Sequence, residues 1–181
     1  MKLTLDVENT VTHRDGKLHL DPFEPNNKLV MVGCLTDTGK EYLFRDNYEG
    51  LQELLDSATI LIGHNIVHDL MWIWECGFKY EGSVFDTMLG EYILQCGQKQ
   101  PLSLEACAER YNLDTKKQDT LKEYFKQGKG VDEIPHEELS SYLSADLHAT
   151  QQLSDVIYRK LNTVEYAGLM ETVVLTNRVA V

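Results

Sequence analysis

Lys2-Leu3-Thr4-Leu5-Asp6-Val7-Glu8 alternates apolar with polar side chains, the period-two pattern of a β-strand with one face in a core. In a strand, residues i and i+2 point to the same side. Asp6 and Glu8 therefore aim two carboxylates at one spot on an opening strand that is otherwise core material. Holding two like charges together is costly unless a cation compensates. Two further acids, Asp69 and Asp146, stand in settings that complete a four-carboxylate cluster. Four acidic groups around divalent metal is the chemistry of phosphodiester cleavage.

Asp69 ends the stretch Gly63-His64-Asn65-Ile66-Val67-His68-Asp69. The short apolar run Thr59–Gly63 reads as a buried strand that stops at the glycine, with a helix over about 66–76 after it. Asn65 and Asp69 are four apart, which places them on one helix face. Asp146 closes Tyr142-Leu143-Ser144-Ala145-Asp146 in a long helix that opens at Pro135 and runs to about residue 161. Tyr142 and Asp146 again stand one turn apart, while Leu139, Leu143, Leu147 and Leu153 line a face for core packing. Taken singly these pairs read as exposed edge acids, a capping acid and a half-buried helix face. Taken together and in order they define one site.

Around these segments the coarse pattern is mixed. Residues 9–27 are polar with Gly and two Pro and read as loop. Residues 28–36 and 40–45 read as a hairpin across Asp37-Thr38-Gly39. Asn47 is placed to cap a helix over 48–57, Asp86 one over 86–96, and Ser103 one after it. A short strand is expected at 82–85, and residues 112–134 read as short helix plus charged loop. A hairpin beside βαβ units means a mixed sheet flanked by helices.

The totals set bounds. The 181 residues suit one compact domain, and 43% apolar content supports a core. No apolar run approaches membrane-spanning length, and no signal peptide is read at the N-terminus. The four cysteines, at 34, 76, 96 and 107, include no close pair and read as reduced, mostly buried thiols of a cytoplasmic protein. A net charge of −12 excludes passive binding of nucleic acid through a basic surface, but not an enzyme that holds its substrate through metals. The densest positive run is Lys116, Lys117, Lys122, Lys126 and Lys129, the best sequence candidate for contact with a nucleic-acid backbone. His64 and His68 have a metal-ligand spacing but lack the glutamate of a zinc protease helix, and local hydrogen bonding or substrate contact is expected of them.

The three blocks Leu5-Asp6-Val7-Glu8-Asn9-Thr10, Gly63–Asp69 and Tyr142–Asp146 resemble the three exonuclease motifs of the DEDD superfamily in its tyrosine subclass. Phe85–Leu94 and Leu102–Tyr111 resemble the next helices of family A DNA polymerases of bacteria and phages, and the resemblance spans residues 2–155. It implies a ribonuclease H-like α/β fold with a mixed five-stranded sheet and a 3′–5′ exonuclease that proofreads for a DNA polymerase. Asp6, Glu8, Asp69 and Asp146 are then ligands to two Mg²⁺ ions, for which Mn²⁺ substitutes, and Tyr142 orients the attacking water. Asn9, Thr10, Thr12, Asn65 and His68 fall at substrate-side positions. Thr12 stands where relatives carry a bulkier apolar wedge, and His68 where a tyrosine is common. Residues 163–181 resemble the start of a following polymerase region, so the resemblance implies an exonuclease domain over 1–162 within a longer, phage-type chain in the host cytoplasm. Its partner is a frayed single-stranded DNA 3′ end. An RNA 3′-processing exonuclease and a non-catalytic docking domain are the alternatives.

Overall fold

The computed structural model describes residues 1–113, 119–163, 166, 168 and 169. The expected polymerase-like region 163–181 lies almost entirely outside the described residues, as do Lys116 and Lys117. β1 (Lys2–Asn9) is the middle strand of a five-stranded sheet. Antiparallel to it lies β4 (Leu29–Thr36), which pairs in turn with β5 (Glu41–Phe44). On its other side β6 (Ile60–Gly63) and β7 (Ser83–Asp86) run parallel. The mixed sheet is that of the ribonuclease H-like fold.

Alternation along β1 sorts its side chains to two layers. Leu3, Leu5 and Val7 enter a core with α1 (Leu51–Ser57) and α2 (Ile66–Glu75). Thr4, Asp6 and Glu8 face the opposite layer, built from α6 (His136–Leu161). α6 packs its buried Leu139, Leu143 and Leu147 against Met31 and Leu35 of β4. Gly33 sits directly across the ladder from Asp6, so it shares that face. A Cβ there would lie 2.7 Å from Leu147 Cδ1 and 2.8 Å from Leu143 Cγ. Its absence lets α6 approach closely enough to bring Asp146 to the acids of β1. Gly33→Ala is expected to destabilise the chain by about 1–3 kcal/mol through overpacking and to lower nuclease activity by displacing α6. Urea unfolding beside an activity assay checks both, and an unchanged midpoint would mean α6 tolerates the shift.

Three expectations are corrected. The stretch 9–27 holds a small hairpin, β2 (Thr12–Arg14) with β3 (Lys17–His19), turning on Asp15 (φ 53°) and Gly16 (φ 72°). Left-handed backbone at both central residues defines a type I′ turn, the tight connection that matches strand twist. α1 begins at Leu51 behind Gly50, not at Asn47, whose Oδ1 instead accepts the Glu49 N–H at 2.9 Å. Only Cys34 and Cys107 are buried, whereas Cys76 and Cys96 are exposed. Between α3 (Thr87–Leu94), α4 (Leu104–Arg110) and α6 lie α5 (Asp119–Lys126) and a single 3-10 turn, Val131–Glu133. Among the described residues no helix is long and apolar enough to cross a membrane.

Candidate active site

β1 runs on past the end of β6, and Asp69 fills the place the shorter strand leaves. Its Oδ1 accepts the Val7 N–H at 2.9 Å, between Asp6 and Glu8 in sequence. Asp69 is 3% exposed, so the bond forms in a poorly solvated setting where it is strong. Asp6 and Glu8 keep part of their surface accessible on the α6 side, where Tyr142 and Asp146 stand on the facing helix.

Asp6, Glu8 and Asp146 act on one another electrostatically, and Asp6 acts on Asp69. Burial, then Asp146, push the Asp6 carboxyl up to about 8, against a hydrogen bond from Val7. Burial, Asp6 and Asp146 hold Glu8 well above the usual carboxylate range. Asp69 is raised by burial and by Asp6, with Asp86 adding to it. Asp146 is raised to about 6 by burial, offset by the hydrogen bond it accepts from the Tyr142 hydroxyl. The same surroundings lift the Tyr142 phenol far above its ordinary value, first by burial and then by Asp146. Tyr142 therefore keeps its proton at any working pH.

The donor set is all hard oxygen, which suits Mg²⁺ or Mn²⁺. Among the described residues no three His, Cys, Asp or Glu side chains form a ready-made cage for one ion. Magnesium usually takes one or two protein carboxylates and fills its remaining positions with waters and substrate phosphate oxygens.

The remaining expected site residues divide. Asn9 is buried and its side chain is used within the fold: Nδ2 donates to the Thr10 carbonyl at 2.7 Å and the Leu20 carbonyl at 3.1 Å. His68 Nε2 meets Asn9 Oδ1 at 2.8 Å. Thr10 Oγ1 accepts the Lys28 N–H, and Thr12 Oγ1 donates to Asn27 Oδ1. With Trp72 Nε1 on the Leu20 carbonyl at 3.2 Å, these contacts fasten the β2–β3 hairpin beside the acids. They leave mainly backbone at 9–12 for a substrate. Asn65 is exposed and lies just outside α2 in left-handed conformation (φ 63°), so it does not share a helical face with Asp69 as the spacing suggests.

Asp86 is the supporting residue the sequence hides. It reads as a helix cap, and its Oδ1 does accept from Met88 N (2.8 Å) and Leu89 N (3.3 Å). The same oxygen also accepts the Asn65 N–H at 3.0 Å, which pins the turn that launches α2 and Asp69. Thr87 Oγ1 donates to the Gly63 carbonyl, and His64 bridges Thr87 Oγ1 (2.9 Å) and the Leu102 carbonyl (2.7 Å). His64 is thus a structural histidine, its basicity lowered by burial. Only the adjacency of Asp86 to the parallel partner of β6 hinted at this role.

A model of the 3′–5′ exonuclease family matches residues 24–162. The chain belongs to that family and is a nuclease of its class. No curated protein matches it in sequence. Solved structures with the same fold include one described as the apo form of the nuclease, 15% identical, with a TM-score of 0.71 over 99% of this chain and 80% of that one. Brucella melitensis NrnC with bound Mg²⁺ is 17% identical, with a TM-score of 0.69 over 99% of this chain and 81% of NrnC. The same protein bound to pGG is 19% identical, with a TM-score of 0.68 over 99% and 80% of the two chains.

Proposed function

We propose that the chain removes nucleoside 5′-monophosphates from the 3′ ends of DNA, with Asp6, Glu8, Asp69 and Asp146 holding two divalent ions. The observation that carries this reading is the convergence of four carboxylates, each raised by burial and most by one another, in a chain of the 3′–5′ exonuclease family. When bound, such ions lower the pKa of an attacking water and stabilise the oxygen that leaves. Asp69, fixed by the Val7 N–H, and Asp146, fixed by Tyr142, hold their carboxylates in defined orientation from two helices. Tyr142 keeps its proton, so it orients water by hydrogen bonding and does not act as a base.

The helices Thr87–Leu94 and Leu104–Arg110 follow the second motif as in family A polymerases, which supports a proofreading role within a longer, phage-type polymerase chain, with residues 1–162 as its exonuclease domain. In that role a mismatched 3′ end frays and supplies the single strand the site accepts. NrnC bound to pGG favours a second reading, an exonuclease of RNA or short oligonucleotide 3′ ends. The 2′-hydroxyl distinguishes the two substrates. Initial rates on matched DNA and RNA single strands decide between them: a clear preference for RNA overturns the DNA assignment and leaves the hydrolytic site standing.

Tyr142→Phe removes one hydrogen bond from the water-orienting group. It is expected to slow turnover by about tenfold with little change in KM. A loss as deep as that of Asp146→Ala would assign the phenol to proton transfer instead.

A further inference from the structure

Helix α5 presents Lys122, Phe125 and Lys126 on one face, at the i, i+3, i+4 spacing that lines up side chains on a helix surface. All three are exposed, Phe125 by 50%. Leu121 and Tyr124 point the other way, into the cluster that contains Leu139, Leu143 and Tyr142. The helix ends in a Schellman motif: Gly128 (φ 76°) donates to the Phe125 carbonyl and Lys129 to the Tyr124 carbonyl. That reversal folds the Lys129 ammonium over the Tyr124 ring, 4.9 Å from its centre. Two cations and an uncovered aromatic ring thus share one face of α5 on a chain of net charge −12, with Lys129 set apart over Tyr124.

The inner face of the same helix fixes where this stripe lies. The Tyr124 hydroxyl donates to Glu138 Oε1 at 2.9 Å. Glu138 is four residues before Tyr142, one turn along α6. The 3-10 turn after α5 is tied to the sheet by Lys28 to Asp132 at 2.8 Å and by Arg45 to the carbonyls of Asp132 and Ile134. α5 is therefore held against the turn of α6 that precedes Tyr142.

We infer that the Lys122, Phe125 and Lys126 face of α5 is a binding surface for single-stranded nucleic acid, taking the nucleotides upstream of the 3′ end that the carboxylates hydrolyse. The inference rests on the proposed nuclease site for its direction. Its own basis is the pairing of cations with an exposed ring, the combination that holds single strands: ammonium groups meet phosphates, and a base stacks on the aromatic face.

The test is binding of fluorescein-labelled oligothymidylates of about 4 and about 12 nucleotides to the full chain in EDTA, by anisotropy across a salt series. Lys122→Ala/Lys126→Ala is expected to weaken the longer strand about tenfold at low salt. It should also make the salt dependence shallower by roughly 1.4 in log–log slope, since each phosphate contact to a single strand contributes about 0.7. Phe125→Ala should weaken the longer strand by about fivefold or more with the slope unchanged. Both losses should be smaller for the short strand, and Lys122→Arg/Lys126→Arg should bind as the unaltered chain does. Equal affinity of all variants, or equal losses at both lengths, overturns the inference, as does an unaltered chain that binds neither strand. Because no cleavage occurs in EDTA, failure of the hydrolytic reading shows separately, as absent digestion in Mg²⁺ by a chain that still binds.

Discussion

Asp69→Asn lowers hydrolysis of nucleic-acid 3′ ends by about a thousandfold or more in Mg²⁺ while the fold stands. The substitution keeps an oxygen at Oδ1 to accept the Val7 N–H, so the geometry between α2 and β1 survives. It removes a charge from a site whose work is to concentrate cations. A metal-dependent rate enhancement is worth several kcal/mol, and each 1.36 kcal/mol is a factor of ten. The same change relieves the repulsion that Asp6 and Asp86 exert on Asp69, so in EDTA the variant melts at the temperature of the unaltered chain or above. Steady-state rates beside calorimetry measure both effects. Near-normal hydrolysis would remove Asp69 from the ligand set, whereas a collapsed melting temperature would make it a structural residue.

Without divalent metal the folded chain is expected to lose stability as pH rises. The Asp6 carboxyl titrates near 8 in the folded state against an ordinary value of 3.8, so between those values the folded chain binds a proton that the unfolded chain has released. Asp146 acts in the same direction up to about 6. Their contribution is complete below about 4 and is lost as pH rises through 6 and then 8. Asp6→Asn removes the largest of these steps, so the melting temperature of the variant in EDTA should gain on that of the unaltered chain as pH rises. Mg²⁺ offsets part of the loss, since a ligand at a hundred times its Kd stabilises by about 2.7 kcal/mol, or roughly 5–10 °C for a chain of this size. Parallel pH profiles for the two proteins and no Mg²⁺ effect at pH 8 would contradict a cation site at these residues.

The parts legible in the sequence are those set by local pattern. The strand at 60–63, the caps at Asp86 and Ser103, and the leucine face of α6 follow from periodicity and from side-chain oxygens ahead of apolar runs. The pairing of Asp6 with Glu8 and of Tyr142 with Asp146 follows strand and helix spacing, whereas joining them with Asp69 into one proposed site came from the resemblance to the exonuclease motifs. What stayed hidden depends on contacts distant in sequence. Nothing near Asn9 announces that His68 will meet its side-chain Oδ1, or that Asp86 will accept the Asn65 N–H across 21 residues. The β2–β3 hairpin was missed for a different reason. Its three-residue strands are largely exposed and show no core-facing alternation, and the Asp15-Gly16 turn signal stood without the apolar flanks that usually mark it.

The most direct test of the central claim is digestion of a 5′-labelled single-stranded DNA in Mg²⁺, with Asp6→Ala/Glu8→Ala beside it. The account predicts a ladder that shortens from the 3′ end, releases nucleoside 5′-monophosphates, stops on chelation, and is absent in the double variant. A ladder that persists in the double variant, or products that shorten from the 5′ end, would contradict it.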